Sequence, residues 1–429
     1  MSKRFAWLLG MAVLVLIGLL VACGSTYNSA FDGLVLVSSQ GSGLLETFSF
    51  NLNSGSIFAV NNPPSDTANL TCVLNGLPSS IVVDPAGAYA YTIITANQSV
   101  CGPNSTATGI AAFKINSDGT MKAVGSLVPD PNPIQLVMDS TGKFLFVAEG
   151  PNGTVNAYAI SGPTLTLVPG TFNFALPPGA GFQPPDFSAV AVTPMVWPPV
   201  INGVQQAVCS SPGNSRPTSE FLYAADAANN VVWEFSVDTS TGALGNPPNA
   251  TQVPYFPSPA IPSTGPPLAV PSGVAVDPCD RFVYVANNLQ NNISAYTICN
   301  GTMTQSSSCT APDGSLRAVG SPFVLTGGAN GPGPMTVDPF GNTLYVLDTL
   351  SNQVSILRIS RSGSLTSSSQ VPTGLGPTSL AIRSDNSWLF VANFQAGTLS
   401  QYSITPSTGA LAASAVTTTD NYPWGVAVK

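Results

Sequence analysis

One phrase recurs along this chain and limits the folds that it can adopt. "VDPCDRFVYVANN" begins at Val276 and "VDPFGNTLYVLDT" at Val337. Related phrases begin at Val82, Val137 and Ile382. Each has an apolar segment, a turn that often reads Asp-Pro-x-Gly, and an aromatic, β-branched segment. Because Asp caps such a turn, Pro fixes φ and Gly accepts positive φ, the phrase predicts two strands joined tightly.

The phrase belongs to a longer unit. A third strand alternates, as in "GTVNAYAI" from Gly153 and "NISAYTI" from Asn292, and a turn such as "TGAL" at Thr241 leads into a weaker fourth strand. The 40 Gly and 39 Pro residues suit many short strands joined by turns. Four antiparallel strands in a unit of roughly 45 residues predict the blades of an all-β propeller.

The first strands of the units give the number of blades. Six of them begin near Pro78, Pro133, Pro185, Pro271, Pro334 and Pro377. A seventh is "YPWGVAVK" at residues 422–429, which has no successor; "GLVLVSS" from Gly33 and "LLETFSFNL" from Leu44 match its missing second and third strands. We therefore predict seven four-stranded blades, with one blade built from both chain ends so that the ring closes. Residues 33–429 form this single domain, with insertion loops at about 195–219 and 246–267.

The amino-terminal residues read as an export signal. Lys3 and Arg4 precede an apolar run at residues 5–21, so residues 1–22 are predicted to be a signal peptide. "LVAC" ends at Cys23 and resembles the bacterial lipobox, which implies a lipidated Cys23 followed by a tether at residues 23–32. An uncleaved anchor and an ordinary secretory signal are the alternatives. The predicted location is the bacterial cell envelope, facing the periplasm or the exterior.

Six cysteines remain after Cys23. An even number in an oxidising compartment predicts three disulfides. The positions of the cysteines in the repeat suggest the pairs Cys72–Cys101, Cys209–Cys279 and Cys299–Cys309. The alternative is that some of them stay free. None forms a Cys-x-x-Cys pair, which argues against zinc and redox sites.

Charge and histidine content exclude several classes of function. Only 7% of the residues are charged and the net charge is -8, so the surface should not attract nucleic acid or anionic lipid head groups. The expected partner is a small molecule or an envelope protein, with the membrane reached only through the lipid, and the expected state is a monomer. The chain has no histidine, which excludes Ser-His-Asp and Cys-His catalysis.

The phrase also carries a family resemblance. With "YVAN" at residues 284–287 and "FVAN" at 390–393, the chain resembles the YVTN-repeat propellers, which are akin to the seven-bladed lactonase family of the 6-phosphogluconolactonase type. The resemblance implies the fold and a lactonase-type ester hydrolysis. In the lactonase branch, catalysis is attributed to a cluster that includes His with Arg and Glu. That cluster cannot be carried over intact, because no His is present.

Candidate site residues end the second strands, at equivalent positions expected near the mouth of the central channel. They are Glu149, Asp226, Asn287, Asp348 and Asn393. Their oxygens could hold a divalent cation such as calcium, which could polarise a lactone carbonyl. The related six-bladed gluconolactonase-type propellers use Glu, Asn and Asp around a metal, by analogy only. The alternative is that these residues cap turns. Trp424, beside the expected mouth, is a further candidate for contact with a ligand.

The sequence thus predicts an exported, lipid-anchored propeller that binds a small ligand or a partner protein at its channel mouth without catalysis. The alternative is a divergent lactonase-like hydrolase, with or without a metal. A purely structural component of the envelope is the third hypothesis.

Overall fold

The computed structural model divides the chain into Met1–Asp32 and a compact unit, Gly33–Lys429. The residues that it describes are 33–52, 54–60, 72–150, 153–169, 184–194, 219–245, 249–252, 269–300 and 314–429. Within these ranges, none of the helices has the length and apolar character needed to cross a membrane. The predicted signal, Cys23 and the tether lie outside the described residues.

Seven sheets form the propeller, and each is one blade. Blade 1 contains β1 (Gly33–Ser39), β2 (Leu44–Phe50), β3 (Ile57–Val60) and the last strand, β29 (Pro423–Val428). Blade 2 contains β4 (Gly76–Val83), β5 (Tyr89–Ala96), β6 (Gly109–Ile115) and β7 (Met121–Pro129). Blade 3 contains β8 (Pro133–Met138), β9 (Phe144–Glu149), β10 (Val155–Ser161) and β11 (Thr164–Leu167). Blade 4 contains β12 (Phe187–Val192), β13 (Glu220–Asp226), β14 (Val231–Val237) and β15 (Asn249–Gln252).

The remaining blades follow the same antiparallel order. Blade 5 contains β16 (Pro271–Val276), β17 (Phe282–Asn287), β18 (Asn292–Ile298), β19 (Leu316–Ala318) and β20 (Phe323–Val324). Blade 6 contains β21 (Pro332–Val337), β22 (Thr343–Asp348), β23 (Gln353–Ile359) and β24 (Leu365–Pro372). Blade 7 contains β25 (Pro377–Ile382), β26 (Trp388–Asn393), β27 (Thr398–Thr405) and β28 (Ala410–Thr418). Within the described part of the chain, the helical elements are α1 (Gln98–Cys101) and two 3-10 turns, Val73–Asn75 and Asn288–Gln290.

Two details of the blades differ from the sequence prediction. The stretch 246–267 is not all loop, because β15 supplies the fourth strand of blade 4 and pairs with the start of β14. The fourth position of blade 5 is divided, since β19 and β20 pair with opposite ends of β18. These outer strands are two to four residues long, so they carry too little pattern to be read from sequence. Most of the predicted insertions lies outside the described residues.

Ring closure by both chain ends is confirmed. β29 pairs with β1 in antiparallel register, including Leu36 opposite Ala427 and Val37 opposite Val426. β29 is the innermost strand of blade 1, and β1, β2 and β3 follow outward. This pairing leaves the ring without an open inner edge.

The repeated tyrosine of the phrase joins neighbouring blades. In four blades the second-strand tyrosine is buried, and its hydroxyl donates to a glycine carbonyl in the turn after the third strand of the next blade. These bonds run from Tyr91 to Gly162, Tyr223 to Gly314, Tyr284 to Gly363 and Tyr345 to Gly409. Apolar clusters fill the space around them; one joins blades 3 and 4 through Phe146 and Trp233. The phrase recurs because the junctions between blades need the same apolar filling, and four of them also use the same hydrogen bond.

Disulfides add to this framework. Cys72 and Cys101 are bonded, as the sequence predicts. Cys279 and Cys299 are each in a disulfide as well. Their predicted partners, Cys209 and Cys309, lie outside the described residues, so these two pairings stay predictions.

First strands approach one another closely around the axis, and Gly273 shows how closely. A Cβ at Gly273 would lie 2.1 Å from the backbone oxygen of Gly333 in the next blade. A Cβ at Gly333 would lie 3.2 Å from the Thr349 methyl group and 4.0 Å from the backbone oxygen of Leu347. We therefore expect Gly273→Ala to lower the unfolding free energy by about 1–3 kcal/mol, because a backbone must move. Gly333→Ala is the matched control and should lower it less. Thermal melts of both variants test this, and equal melting temperatures would contradict it.

Candidate functional site

The five predicted ligands do stand at equivalent positions, as the last residues of β9, β13, β17, β22 and β26. However, each is at most 3% exposed and is bonded within its own blade. Its partner in every case is the residue seven positions later, on the adjacent third strand. The pairs are Glu149–Asn156 at 2.6 Å, Asp226–Trp233 at 2.9 Å, Asn287–Ser294 at 2.9 Å, Asp348–Ser355 at 2.7 Å and Asn393–Ser400 at 2.9 Å.

These bonds favour a structural role. Asp226 also accepts from the backbone N–H groups of Ala228 and Asn229, which is the turn-capping arrangement. Within the described ranges, no three His, Cys, Asp or Glu side chains come together as a metal site. Among the described residues, the three carboxyls of this set therefore form no cluster of acidic metal ligands. The sequence signal for this structural role was a hydrogen-bond donor seven residues after each of the five side chains.

Burial changes the acidity of two of these carboxyls. Burial first, and then the neighbouring Asp130, raise the pKa of Glu149 to about 7. Asn156 donates to both Glu149 and Asp130, and the Tyr158 hydroxyl donates to Asp130 at 2.8 Å. Burial also raises the pKa of Asp348 to about 6, although the Ser355 hydroxyl opposes this effect. Neither carboxyl lines the channel.

The channel itself is surrounded by the first strands of all seven blades. Each of these strands has a register shift near its start, and the residue before the shift is a proline in six of the blades. Proline has no backbone N–H to donate. It therefore suits a position where the register shift interrupts the hydrogen bonds between the strands. The shift places the next side chains in reach of the neighbouring blade.

Those side chains bind one first strand to the next in two ways. In one, a hydroxyl donates to a carbonyl of the following blade, as from Ser272 to Pro332 at 2.6 Å. In the other, a side-chain oxygen accepts an N–H from the following blade. Ser80, Gln135 and Ser379 accept in this way. The lining is thus held rigidly before any ligand arrives.

The enclosed cavity has a volume of about 310 Å³, which is within the range of small-molecule sites. None of its lining residues is charged. Its polar side chains are Ser80, Gln135, Ser188, Ser272, Thr378 and Ser379. Since Ser80, Gln135 and Ser379 act as acceptors between blades, their own O–H or N–H groups remain to donate to a ligand. The cavity is therefore suited to the oxygens of an uncharged molecule.

Trp424 is the aromatic residue of the cavity lining. It lines the channel and is 37% exposed. Phe394 packs edge-on against Trp424, with ring centroids 5.4 Å apart, and also lies 4.9 Å from Tyr422. The result is an aromatic group beside a polar, uncharged channel. Sequence reasoning found Trp424 but missed Phe394 and the channel hydroxyls, because no local pattern indicates which residues face the axis.

The family comparison adds to this geometry. Residues 313–427 match the family model of the lactonase 7-bladed beta-propeller. The chain has the seven-bladed propeller fold, and its carboxy-terminal part is similar to the lactonase family. The match spans part of blade 5, blades 6 and 7 and most of β29, so it includes Trp424 and Ser379.

Several solved structures have the same fold over almost the whole chain. A candidate 6-phosphogluconolactonase from Bacteroides fragilis is 18% identical, with a TM-score of 0.65 over 94% of this chain and 100% of its own. A second one, from Bacteroides uniformis, is 17% identical, with a TM-score of 0.66 over 92% and 99%. The periplasmic gluconolactonase PpgL of Pseudomonas aeruginosa is 17% identical, with a TM-score of 0.61 over 92% and 98%. At these identities the lactonase-like propeller shares their fold. No curated protein matches the sequence.

Proposed function

We propose that this lactonase-like propeller is exported, anchored through a lipid on Cys23, and binds a small uncharged polyhydroxylated molecule at the Trp424 mouth of its channel. The observation that carries the proposal is the charge-free lining with hydrogen-bond donors beside an aromatic ring. Sugar rings and sugar lactones offer apolar faces for Trp424 and oxygens for Ser80, Gln135 and Ser379. Incorporation of labelled palmitate that is lost in Cys23→Ser tests the anchor.

The lining also argues against a phosphorylated ligand. A phosphate group needs Arg, Lys or a helix N-terminus to replace its hydration, and the lining residues include no Lys or Arg. The names of the structural neighbours suggest both phosphorylated and unphosphorylated sugar lactones. The uncharged lining fits an unphosphorylated sugar better than a phosphorylated one.

Calorimetric titration with glucose, glucono-δ-lactone and 6-phosphogluconate tests the binding. We expect heat from a neutral compound and none from the phosphate. Trp424→Ala should weaken binding by about tenfold, equal to about 1.4 kcal/mol of ring contact. Phe58→Ala is the matched control, because Phe58 is 60% exposed on the outer strand β3, away from the channel. Tighter binding of the phosphate, or an unchanged affinity in Trp424→Ala, would reject the proposal.

The second candidate function is hydrolysis of a sugar lactone, which the family match over residues 313–427 supports. Without histidine, the base would have to be a carboxylate or a metal-bound water. Titration of the acid released from glucono-δ-lactone, with and without a chelator, separates these cases. Turnover that the chelator abolishes indicates a metal, and turnover that survives indicates carboxylate chemistry. A rate equal to that of spontaneous hydrolysis would reject the hydrolase hypothesis and retain only the binding function.

A further inference from the structure

Among the described residues of this acidic protein, the positive charge is confined to one face of the propeller. Strand direction defines two faces: the mouth face carries the loops after second and fourth strands, and the base face carries the loops after first and third strands. All nine described Lys and Arg residues stand at the base-face ends of strands or in base-face turns. Four of these are lysines, namely Lys114, Lys122, Lys143 and Lys429. The arginines are Arg281, Arg317, Arg358, Arg361 and Arg383.

Acidic residues on the base face do not cancel this charge, because most of them are buried. Asp139, Glu220, Asp277, Asp280 and Asp338 are each at most 2% exposed. Burial raises the pKa of three of them, Glu220, Asp280 and Asp338, and so favours their neutral forms.

The exposed charges of the base face are mainly basic. Among its described basic side chains, only Arg281 is buried, and the other eight are partly or fully exposed. Among the described residues, four acidic ones stand against these eight, namely Asp84, Asp118, Asp238 and Asp385. Asp385 is already paired with Arg383 at 3.1 Å. The base face therefore has an excess of accessible positive charge, although the whole chain is negative.

The amino-terminal end of the propeller lies on this same face. β1 begins at Gly33, and a Cβ there would lie 2.3 Å from the Arg383 guanidinium and 2.9 Å from the Lys429 carbonyl oxygen. Cys23 is ten positions before Gly33, so the chain between them could span at most about 33–36 Å if fully extended. The described mouth-face loops, in contrast, have no Lys or Arg and expose Leu289, Leu350 and Leu375.

We propose that the base face rests on anionic lipid head groups of the membrane that holds the anchor, and that the channel mouth points away from that membrane. This inference rests on the proposed lipid at Cys23. A lipid anchor and a nearby basic patch reinforce each other, because the two attractions to the membrane add. The negative net charge of the chain alone suggests no attraction to anionic lipid. However, salt screens electrostatic interactions beyond about 10 Å, so a membrane against the base face would interact mainly with the charges of that face. The orientation leaves the Trp424 mouth open to a soluble ligand.

Site-specific quenching on vesicles tests the orientation. The full lipidated chain is labelled at Ser362→Cys in a base-face turn or at Leu375→Cys on the mouth face. It is then bound to vesicles that carry a head-group quencher, with phosphatidylglycerol or with phosphatidylcholine only. We expect severalfold more quenching of the Ser362→Cys label than of the Leu375→Cys label with phosphatidylglycerol, and a smaller difference with phosphatidylcholine.

Charge variants complete the test. Reversing Lys114, Lys122 and Lys143 to Glu should abolish most of the difference between the two labels while the chain stays on the vesicles. Changing the same three residues to Arg keeps the charge and should preserve the difference. Equal quenching of both labels on phosphatidylglycerol would overturn the orientation. A chain that does not float with vesicles at all would overturn the lipid anchor itself, and the orientation with it.

Discussion

Deleting residues 423–429 is expected to abolish cooperative folding of the whole propeller. β29 is the inner strand of blade 1, and it contacts first strands on both sides, β25 and β4. Without it, Val35, Leu36 and Val37, which are fully buried in β1, would be exposed on an open edge. Exposing three such side chains costs about 4–9 kcal/mol before the lost ladder bonds are counted. That is comparable to the whole stability of a typical domain, about 5–15 kcal/mol.

Circular dichroism melts and limited proteolysis of the truncated chain measure this effect. The expected result is an early, broad transition and rapid cleavage, or recovery only as aggregate, since an unpaired inner edge invites pairing with other chains. Trp424→Ala is the control within the same strand; its side chain is exposed at the mouth, so its melt should stay close to that of the wild type. A truncated chain that melts at the wild-type temperature would show that the ring does not depend on closure.

Raising the pH should destabilise the protein, and Glu220 should account for a large part of the loss. Glu220 is 1% exposed, its Oε1 accepts no hydrogen bond, and Asp139 lies nearby. Burial, and then Asp139, raise its pKa from 4.5 to about 8. The folded state thus keeps a proton that the unfolded chain releases above pH 4.5. Unfolding then releases a proton, and stability falls as pH rises, by at most about 1.4 kcal/mol per unit, until the pH passes the folded pKa.

Chemical denaturation at pH 5.5 and pH 8.5 tests this pH dependence. Glu220→Gln should be more stable than the wild type at pH 8.5 and should lose less stability between the two values, because an uncharged amide replaces the titrating carboxyl. Asp118→Asn serves as control. Asp118 is exposed and Thr120 lowers its pKa, so it titrates below this range and the slope should not change. If Glu220→Gln keeps the full wild-type slope, Glu220 is not the group responsible.

The fold was predictable because the repeat encodes it several times. Tyr284 and its equivalents, the Asp-Pro turns and the first-strand prolines each reappear with the same spacing, so a weak signal in one blade is supported by the others. Ring closure followed from counting strands at both ends. The short outer strands β15, β19 and β20 were not predictable, because two to four residues cannot show a period.

The candidate site was predictable only in part. Repetition correctly placed Glu149, Asp226 and Asp348 at equivalent positions, but equivalence in a ring does not imply that side chains meet on its axis. In a strand, successive side chains point to opposite faces, and these carboxylates point along the blade toward the third strand. The channel is lined by first-strand residues beyond a register shift, such as Ser272 and Ser379, and a sequence does not show where a ladder shifts.

The most direct test of the account is a crystal structure of the protein with glucono-δ-lactone or glucose bound. We expect the sugar inside the central cavity, with one face against Trp424 and its oxygens within hydrogen-bond distance of Ser80, Gln135 or Ser379. A sugar bound only outside the cavity, or a cation held by Glu149, Asp226 or Asp348, would contradict the assignment of the channel as the binding site.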